Sequence, residues 1–217
     1  METSVVITCH KYARYLGRAI RSAIGQNYPK NNYEVLVVND GSTDETKDIM
    51  NSFLGFIRPI HLDKNVGLSE ARNIGIKRAM GKYVIHLDAD DYISEYILLI
   101  ESLYLNQHKD IDAVSCDYDV IDDKGNVLEV KNGEKEPIAC GILFNKDRLF
   151  DIGLYNPEFN AMEEKELRRR FVEKYKVENV NLSLYRYRRH ADNLTNNKEM
   201  VDKYSKLLID KECSERT

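Results

Sequence analysis

The sequence predicts an α/β fold, a Rossmann-like and mostly parallel sheet flanked by helices, continued by a smaller mixed half. Two observations carry this. Up to about residue 90, short β-branched runs alternate with longer segments whose apolar residues recur at helical spacing, the pattern of strand–helix–strand units. The short runs are also apolar almost throughout, as strands covered on both faces must be.

The elements follow in order. Ser4 to Thr8 reads as the first strand, Glu34 to Asn39 as the second and Tyr83 to Leu87 as another, with Ile57 to Leu62 a weaker one interrupted by Pro59. Between them, Tyr15 to Ile24, Asp44 to Leu54 and Ser69 to Met80 are expected helices. The second starts in the turn Asp40-Gly41-Ser42-Thr43-Asp44, and the third follows Gly67 with Ser69 as its N-cap. Past Asp91 the rhythm changes to a helix over Glu95 to Asn106, a strand over Ala113 to Ile121 and a hairpin turn at Asp123-Lys124-Gly125-Asn126. A charged helix over Glu163 to Tyr175, a strand over Val177 to Tyr187 and an amphipathic helix over Lys198 to Lys211 complete the chain. With no repeat or low-complexity linker, residues 1–217 are expected to form one domain. Its parts are a first half over 1–100, a second over 101–195 and a C-terminal helix and tail over 196–217.

Composition bounds the function. With 217 residues, 42% of them apolar, the chain can bury a substantial core, which excludes a disordered or fibrous protein. The 36 acidic and 32 basic residues are well mixed, so no global field draws the chain onto nucleic acid. Cys9, Cys116, Cys140 and Cys213 lack paired metal spacing and are expected as free thiols. No run approaches the roughly 18 apolar residues of a membrane span. Met1 leads directly into a strand without a secretory leader, so a cytoplasmic location is expected.

In an open parallel sheet, ligands bind outside the carboxyl ends of the strands. That rule selects Thr8-Cys9-His10, Asn39-Asp40-Gly41-Ser42, Asn65-Val66-Gly67 and Asp88-Ala89-Asp90-Asp91. Carboxylates gathered on one edge call for positive charge, which a divalent cation or Arg72 would supply. The buried run Val84-Ile85-His86-Leu87 delivers three aspartates within four positions. Asp88 and Asp90 flank small Ala89, an arrangement able to hold an oxygen-loving cation; a helix-capping cluster before Glu95 is the other reading. A Gly-rich phosphate turn after the first strand is missing, which argues against a dinucleotide oxidoreductase or a sugar-1-phosphate nucleotidyltransferase.

Taken together, the chain resembles the family 2 glycosyltransferases, inverting enzymes with the GT-A fold. The resemblance runs from Val5 to about Asp91. It passes through Ser22-Ala23-Ile24-Gly25-Gln26-Asn27-Tyr28-Pro29, Val37-Val38-Asn39-Asp40-Gly41-Ser42-Thr43-Asp44 and Asn65-Val66-Gly67-Leu68-Ser69-Glu70-Ala71-Arg72-Asn73. It resumes at Glu163-Glu164-Lys165-Glu166-Leu167 and Tyr187-Arg188-Arg189-His190. Residues 110 to 160 match only loosely.

The resemblance implies a nucleotide half and an acceptor half. Asp40 takes the position that binds the base, typically uracil, with Thr8 beside it, and Arg72 that of an arginine facing the nucleotide. Asp88 and Asp90 match the Asp-x-Asp motif, the first holding ribose or sugar hydroxyls and the second Mn²⁺ or Mg²⁺, with His190 completing the metal shell. Asp91 is left as the cap of the next helix. Glu164 occupies the position of the general base, where the family carries aspartate; Glu163 is the alternative, with a capping-box role from Asn160 as its structural reading. Arg186, Arg188 and Arg189 are candidates to neutralise a diphosphate. Tyr12, Tyr118 and Tyr155 are candidates to stack on a sugar.

The implied reaction is transfer of a sugar from a nucleotide-diphosphate donor, UDP by preference, to a hydroxyl of a saccharide or glycolipid acceptor, in polysaccharide or glycoconjugate synthesis. A non-catalytic nucleotide-sugar-binding or interaction module is the alternative. Met200, Val201, Tyr204, Leu207 and Leu208 line one side of the terminal helix. That side is expected to pack on the domain or on a homodimer partner, with contact at the inner membrane surface a lesser reading.

Overall fold

The alternation of strands and helices closes into one nine-stranded mixed sheet. The computed structural model describes residues 1–191, 193 and 196–215. β1 (Thr3–Cys9), β2 (Tyr33–Asp40), β3 (Arg58–Leu62) and β4 (Tyr83–Asp88) run parallel in the order β3-β2-β1-β4. α1 (Ala13–Ile24), α2 (Thr46–Asn51) and α3 (Leu68–Arg78) connect them. Because side chains alternate across a strand, each strand feeds two cores. Val5 and Ile7 pack with Leu16 and Ile20 of α1 on one face, while Val6 packs with Ala71 and Ile76 of α3 on the other. At Gly75, α3 lies so close to β1 that an added Cβ would sit 2.3 Å from Val6 Cγ1.

Beyond β4 the strand direction reverses. β8 (Ile142–Asn145) pairs antiparallel with β4 and with β6 (Ala113–Ile121), and β9 (Val177–Arg188) runs parallel to β6. β5 (Tyr92–Ile93) pairs with β9, and β7 (Val127–Lys131) hangs on β6 across the expected hairpin turn, where Asp122 Oδ1 accepts from the amides of Lys124 and Asn126. α4 (Ile97–Gln107), α5 (Lys146–Asp151) and α6 (Glu163–Val172) cover this half. α7 (Lys198–Glu215) packs Met200, Tyr204, Leu207 and Leu208 against Phe159, Ala161 and Met162.

Three local expectations are corrected. α2 is short because Asp44, the expected first residue of the helix, turns its carboxylate to Ala13 N, Thr46 N and Thr46 Oγ1. The helix then closes in i→i+3 bonds at Ser52 and Phe53 before Gly55 at φ 92°. Ser69 does not cap α3: the cap position is Gly67 at φ 89°, and Ser69 Oγ donates to Phe159 O at 2.5 Å. Asn160 does not cap α6, whose cap is Met162 in the left-handed region; its amide reaches Tyr204 Oη instead. Cys9, Cys116 and Cys140 are free and buried, and the Cys213 side chain lies outside the described residues. Among the described residues no helix is long and apolar enough to cross a membrane.

Candidate active site

A cleft of about 650 Å³ opens at the carboxyl ends of β1, β2 and β4 and is walled opposite by the first turn of α6. Thr8, Asp40, Arg72, Asp88, Asp90, Glu163 and Glu164 all line it, and His190 joins them through Asp90.

Asp40 ends β2 almost fully buried, and its carboxylate organises the loop after β3. Oδ1 accepts from Val66 N at 2.7 Å, and Oδ2 from Gly67 N at 3.1 Å and Asn65 Nδ2 at 3.0 Å. A carboxylate oxygen offers about two acceptor sites, so Oδ1, with one donor among the described residues, has capacity for a second. His10 Nδ1 lies 2.6 Å from Asp40 O and ties the end of β1 to the same place.

Arg72, on the second turn of α3, is 1% exposed. Nη2 donates to Asp88 Oδ1 at 2.9 Å and Nη1 to Glu163 Oε1 at 2.6 Å, while the guanidinium lies 5.3 Å from the Tyr155 ring centroid. One buried cation thus holds a carboxylate from each side of the cleft. Burial alone would favour its neutral form; Asp88, then Cys140 and Glu163, outweigh that and keep it charged. Glu163 behaves oppositely. Burial pushes its carboxyl up to about 7, against the pull of Arg72 and with help from the negative charge of Glu164. Glu164, the next residue, lines the cleft and is half-buried.

At the end of β4, Asp90 Oδ2 stands 2.9 Å from His190 Nε2. Burial, then repulsion from Asp88, raises the Asp90 carboxyl above its usual range. This is a direct hydrogen bond, so an ion held by both groups would have to replace it. Among the described residues no third His, Cys, Asp or Glu completes a cluster. The carboxylate suits Mn²⁺ or Mg²⁺, and the imidazole suits Mn²⁺ better than Mg²⁺, whose ligands are oxygens.

Asp91 is not the cap of α4, which begins at Ile97. Its buried carboxylate accepts Tyr185 Oη–H at 2.7 Å and Arg188 N–H at 2.7 Å, stitching β4 to β9. The three candidate arginines for neutralising a diphosphate do not line the cleft. Arg188 is buried and donates to the carbonyls of Asp90, Asp122 and Asp123; Arg186 pairs with Asp119; Arg189 is exposed outside the cleft. Of the tyrosines, Tyr12 lines the cleft, whereas Tyr118 donates to Glu136 O and Tyr155 lies beneath Arg72.

The sequence profile of "Glycosyl transferase family 2" matches residues 4–186. The chain belongs to glycosyl transferase family 2. It is 26% identical over 243 residues to the glycosyltransferase GlyG of Streptococcus pneumoniae, across 95% of this chain and 79% of GlyG. It is 31% identical over 111 residues to the poly(ribitol-phosphate) β-N-acetylglucosaminyltransferase TarS of Staphylococcus aureus, across 50% of this chain but 19% of TarS. The crystal structure of TarS 1–349 in complex with UDP-GlcNAc matches with a TM-score of 0.79 at 19% identity, covering 91% of this chain and 61% of that one. The mannosyltransferase PcManGT of Pyrobaculum calidifontis, in complex with GDP-Man and Mn²⁺, matches with a TM-score of 0.70 at 17% identity, covering 85% and 56%. The family 2 chain therefore has the GT-A fold and spans about three fifths of these solved chains.

Several cleft residues of this family 2 domain carry no sign in the sequence that they belong to the cleft. Pro137, Ile138 and Cys140 come from the segment between β7 and β8, and Met162, Met200 and Val201 from the start of α6 and from α7. Cys140 Sγ lies 3.7 Å from Arg72 Nη2. None carries a motif signal, since only the return of β8 to the edge of β4 brings this segment over the strand ends.

Proposed function

We propose that the chain is an inverting glycosyltransferase that moves a sugar from a nucleotide-diphosphate donor, a UDP-sugar by preference, to a hydroxyl of a saccharide or glycolipid acceptor. One observation carries the reading. Asp88, Asp90 and the Glu163-Glu164 pair line a single cleft, and Arg72 bridges its two sides. The bound nucleotides in the TarS and PcManGT structures are in keeping with it.

In this reading Asp40 Oδ1 accepts a base N–H as a second donor, beside Thr8. Asp88, oriented by Arg72, holds donor hydroxyls. Asp90 and His190 would hold the divalent cation, which when bound stabilises the charge developing on the departing diphosphate. Glu164 takes the proton of the acceptor hydroxyl as it attacks the anomeric carbon from the face opposite the diphosphate. Glu163, fixed by Arg72, sets the position of its neighbour. The product is a polysaccharide or glycoconjugate.

The test is UDP release from a panel of UDP-sugars with Mn²⁺. Glu164→Gln should slow transfer by about 10²–10⁴-fold with UDP affinity unchanged. UDP binding with neither hydrolysis nor transfer would replace this reading with that of a binding module.

A further inference from the structure

A second hollow of about 300 Å³ lies beside the cleft, lined by Ser115 of β6, Glu134, Arg168 of α6, and Val177, Glu178 and Asn179 of β9. Its volume sits at the lower end of small-molecule sites, about 300–1,000 Å³. All but Val177 are polar.

Two connections tie it to the cleft. Glu164 and Arg168 are four residues apart on α6, so they share one face and stand about 6 Å apart along the axis. The first lines the cleft and the second lines the hollow. The segment after β7 does the same, with Glu134 at the hollow and Pro137 at the cleft. That segment is fastened from below. Gly133 N and Asn132 Nδ2 both donate to Asp117 Oδ1 at 2.9 Å, and Gly133 lies where a Cβ would be 2.1 Å from Cys116 O.

The floor is ordered and the wall is unfinished. Ser115 Oγ donates to Asn179 Oδ1 at 2.9 Å, Asn179 Nδ2 to Asp117 Oδ1 at 2.9 Å, and Tyr104 Oη to Glu178 Oε2 at 2.6 Å. Among the described residues Arg168 Nη1 has no hydrogen-bond partner although it is shielded from solvent, and the negative charge of Glu134 favours the charged form of that guanidinium. An unpaired donor of this kind is costly to keep, which points to a partner that arrives from outside. Glu178 is already paired with Lys176 at 2.6 Å, which leaves Arg168 against Glu134, one cation and one carboxylate; the complement is a neutral group with hydroxyls that both accept and donate.

We propose that the hollow is a saccharide subsite that binds a neutral sugar ring of an extended acceptor, about one helical turn from the ring whose hydroxyl meets Glu164. Arg168 Nη1–H donates to a hydroxyl or ring oxygen and Glu134 accepts a hydroxyl proton. This rests on the transferase reading above and adds to it a preference for acceptor length. It also assigns the residues that enforce that preference.

The experiment measures binding of glucose and N-acetylglucosamine oligomers, one to four residues long, to UDP-saturated protein by ligand-detected NMR and calorimetry. Affinity should rise with length in the wild type. Arg168→Ala and Glu134→Ala should each weaken the tetrasaccharide about tenfold, the loss of one hydrogen bond to a charged group. Monosaccharide and UDP affinities should stay as they were. Intact UDP binding with saccharide affinity independent of length, or tetrasaccharide binding unmoved by both variants, overturns the subsite alone. Failure to bind UDP overturns the transferase reading and this one with it.

Discussion

Replacing Glu163 by glutamine isolates a proton that folding takes up. The carboxyl is 4% exposed and is pushed from its ordinary 4.5 to about 7, chiefly by burial. Below pH 4.5 both folded and unfolded chains hold this proton. Between 4.5 and about 7 the unfolded chain releases it while the folded one keeps it, so this group's contribution to stability falls as pH rises. At about 1.4 kcal/mol per pH unit the loss approaches 3 kcal/mol by pH 8. Glu163→Gln keeps the shape and a carbonyl acceptor for Arg72 Nη1 but removes the titration. Urea unfolding of both proteins at half-unit steps from pH 4.5 to 8 gives the difference directly, and the wild type should lose about 3 kcal/mol relative to the variant across that window. A difference that stays flat, or grows in favour of the wild type with pH, would mean that Arg72 holds Glu163 ionised throughout, and the burial argument would be wrong.

Asp90→Ala removes one of the two protein donors proposed for the cation. Calorimetric Mn²⁺ affinity should fall at least about 100-fold, and the rise in Tm that Mn²⁺ and UDP give the wild type by mass action should vanish. Asp40→Ala leaves three donors of the Asn65–Gly67 loop without their acceptor. The expected cost is about 3 kcal/mol, or ~6–12 °C in a melting curve; no shift would show that water replaces the carboxylate freely. Gly75→Ala should destabilise by about 1–3 kcal/mol despite alanine's better helix propensity, because the new methyl meets Val6, and Val6→Ala in the same chain should restore part of the loss.

What was legible in the sequence follows from how local each cause is. The strands around Val5-Val6-Ile7 and Val84-Ile85 declare themselves because both faces are covered, and that condition is written into consecutive residues. Asp88 and Asp90 were found because a strand end places them together without help from elsewhere. The role of Asp91 is not legible for the opposite reason, since its partners Tyr185 and Arg188 lie 94 and 97 residues away. Alternation along β9 places Arg186 and Arg188 on one face, but nothing local says that carbonyls of the β6–β7 turn absorb the Arg188 guanidinium. The apolar cleft wall from α7 depends on where Tyr204 docks against Phe159, and no local pattern encodes a docking position.

The Arg72 bridge also bears on synthesis at the ribosome. All four parallel strands are translated by Asp88, so the first half looks able to fold as soon as it emerges. Its most buried cation, however, draws one of its two carboxylates from Glu163, 91 residues further on. Until α6 leaves the exit tunnel, that guanidinium has only Asp88 against an incomplete apolar shell, an expensive state. Nascent chains stalled near residue 150 should stay protease-sensitive across residues 65–90, and those stalled far enough past residue 172 for α6 to emerge should become resistant together with it. The parallel half is then less a module that could be cut out and reused than the earlier portion of a single cooperative event that needs α6, and after it β9, to reach completion.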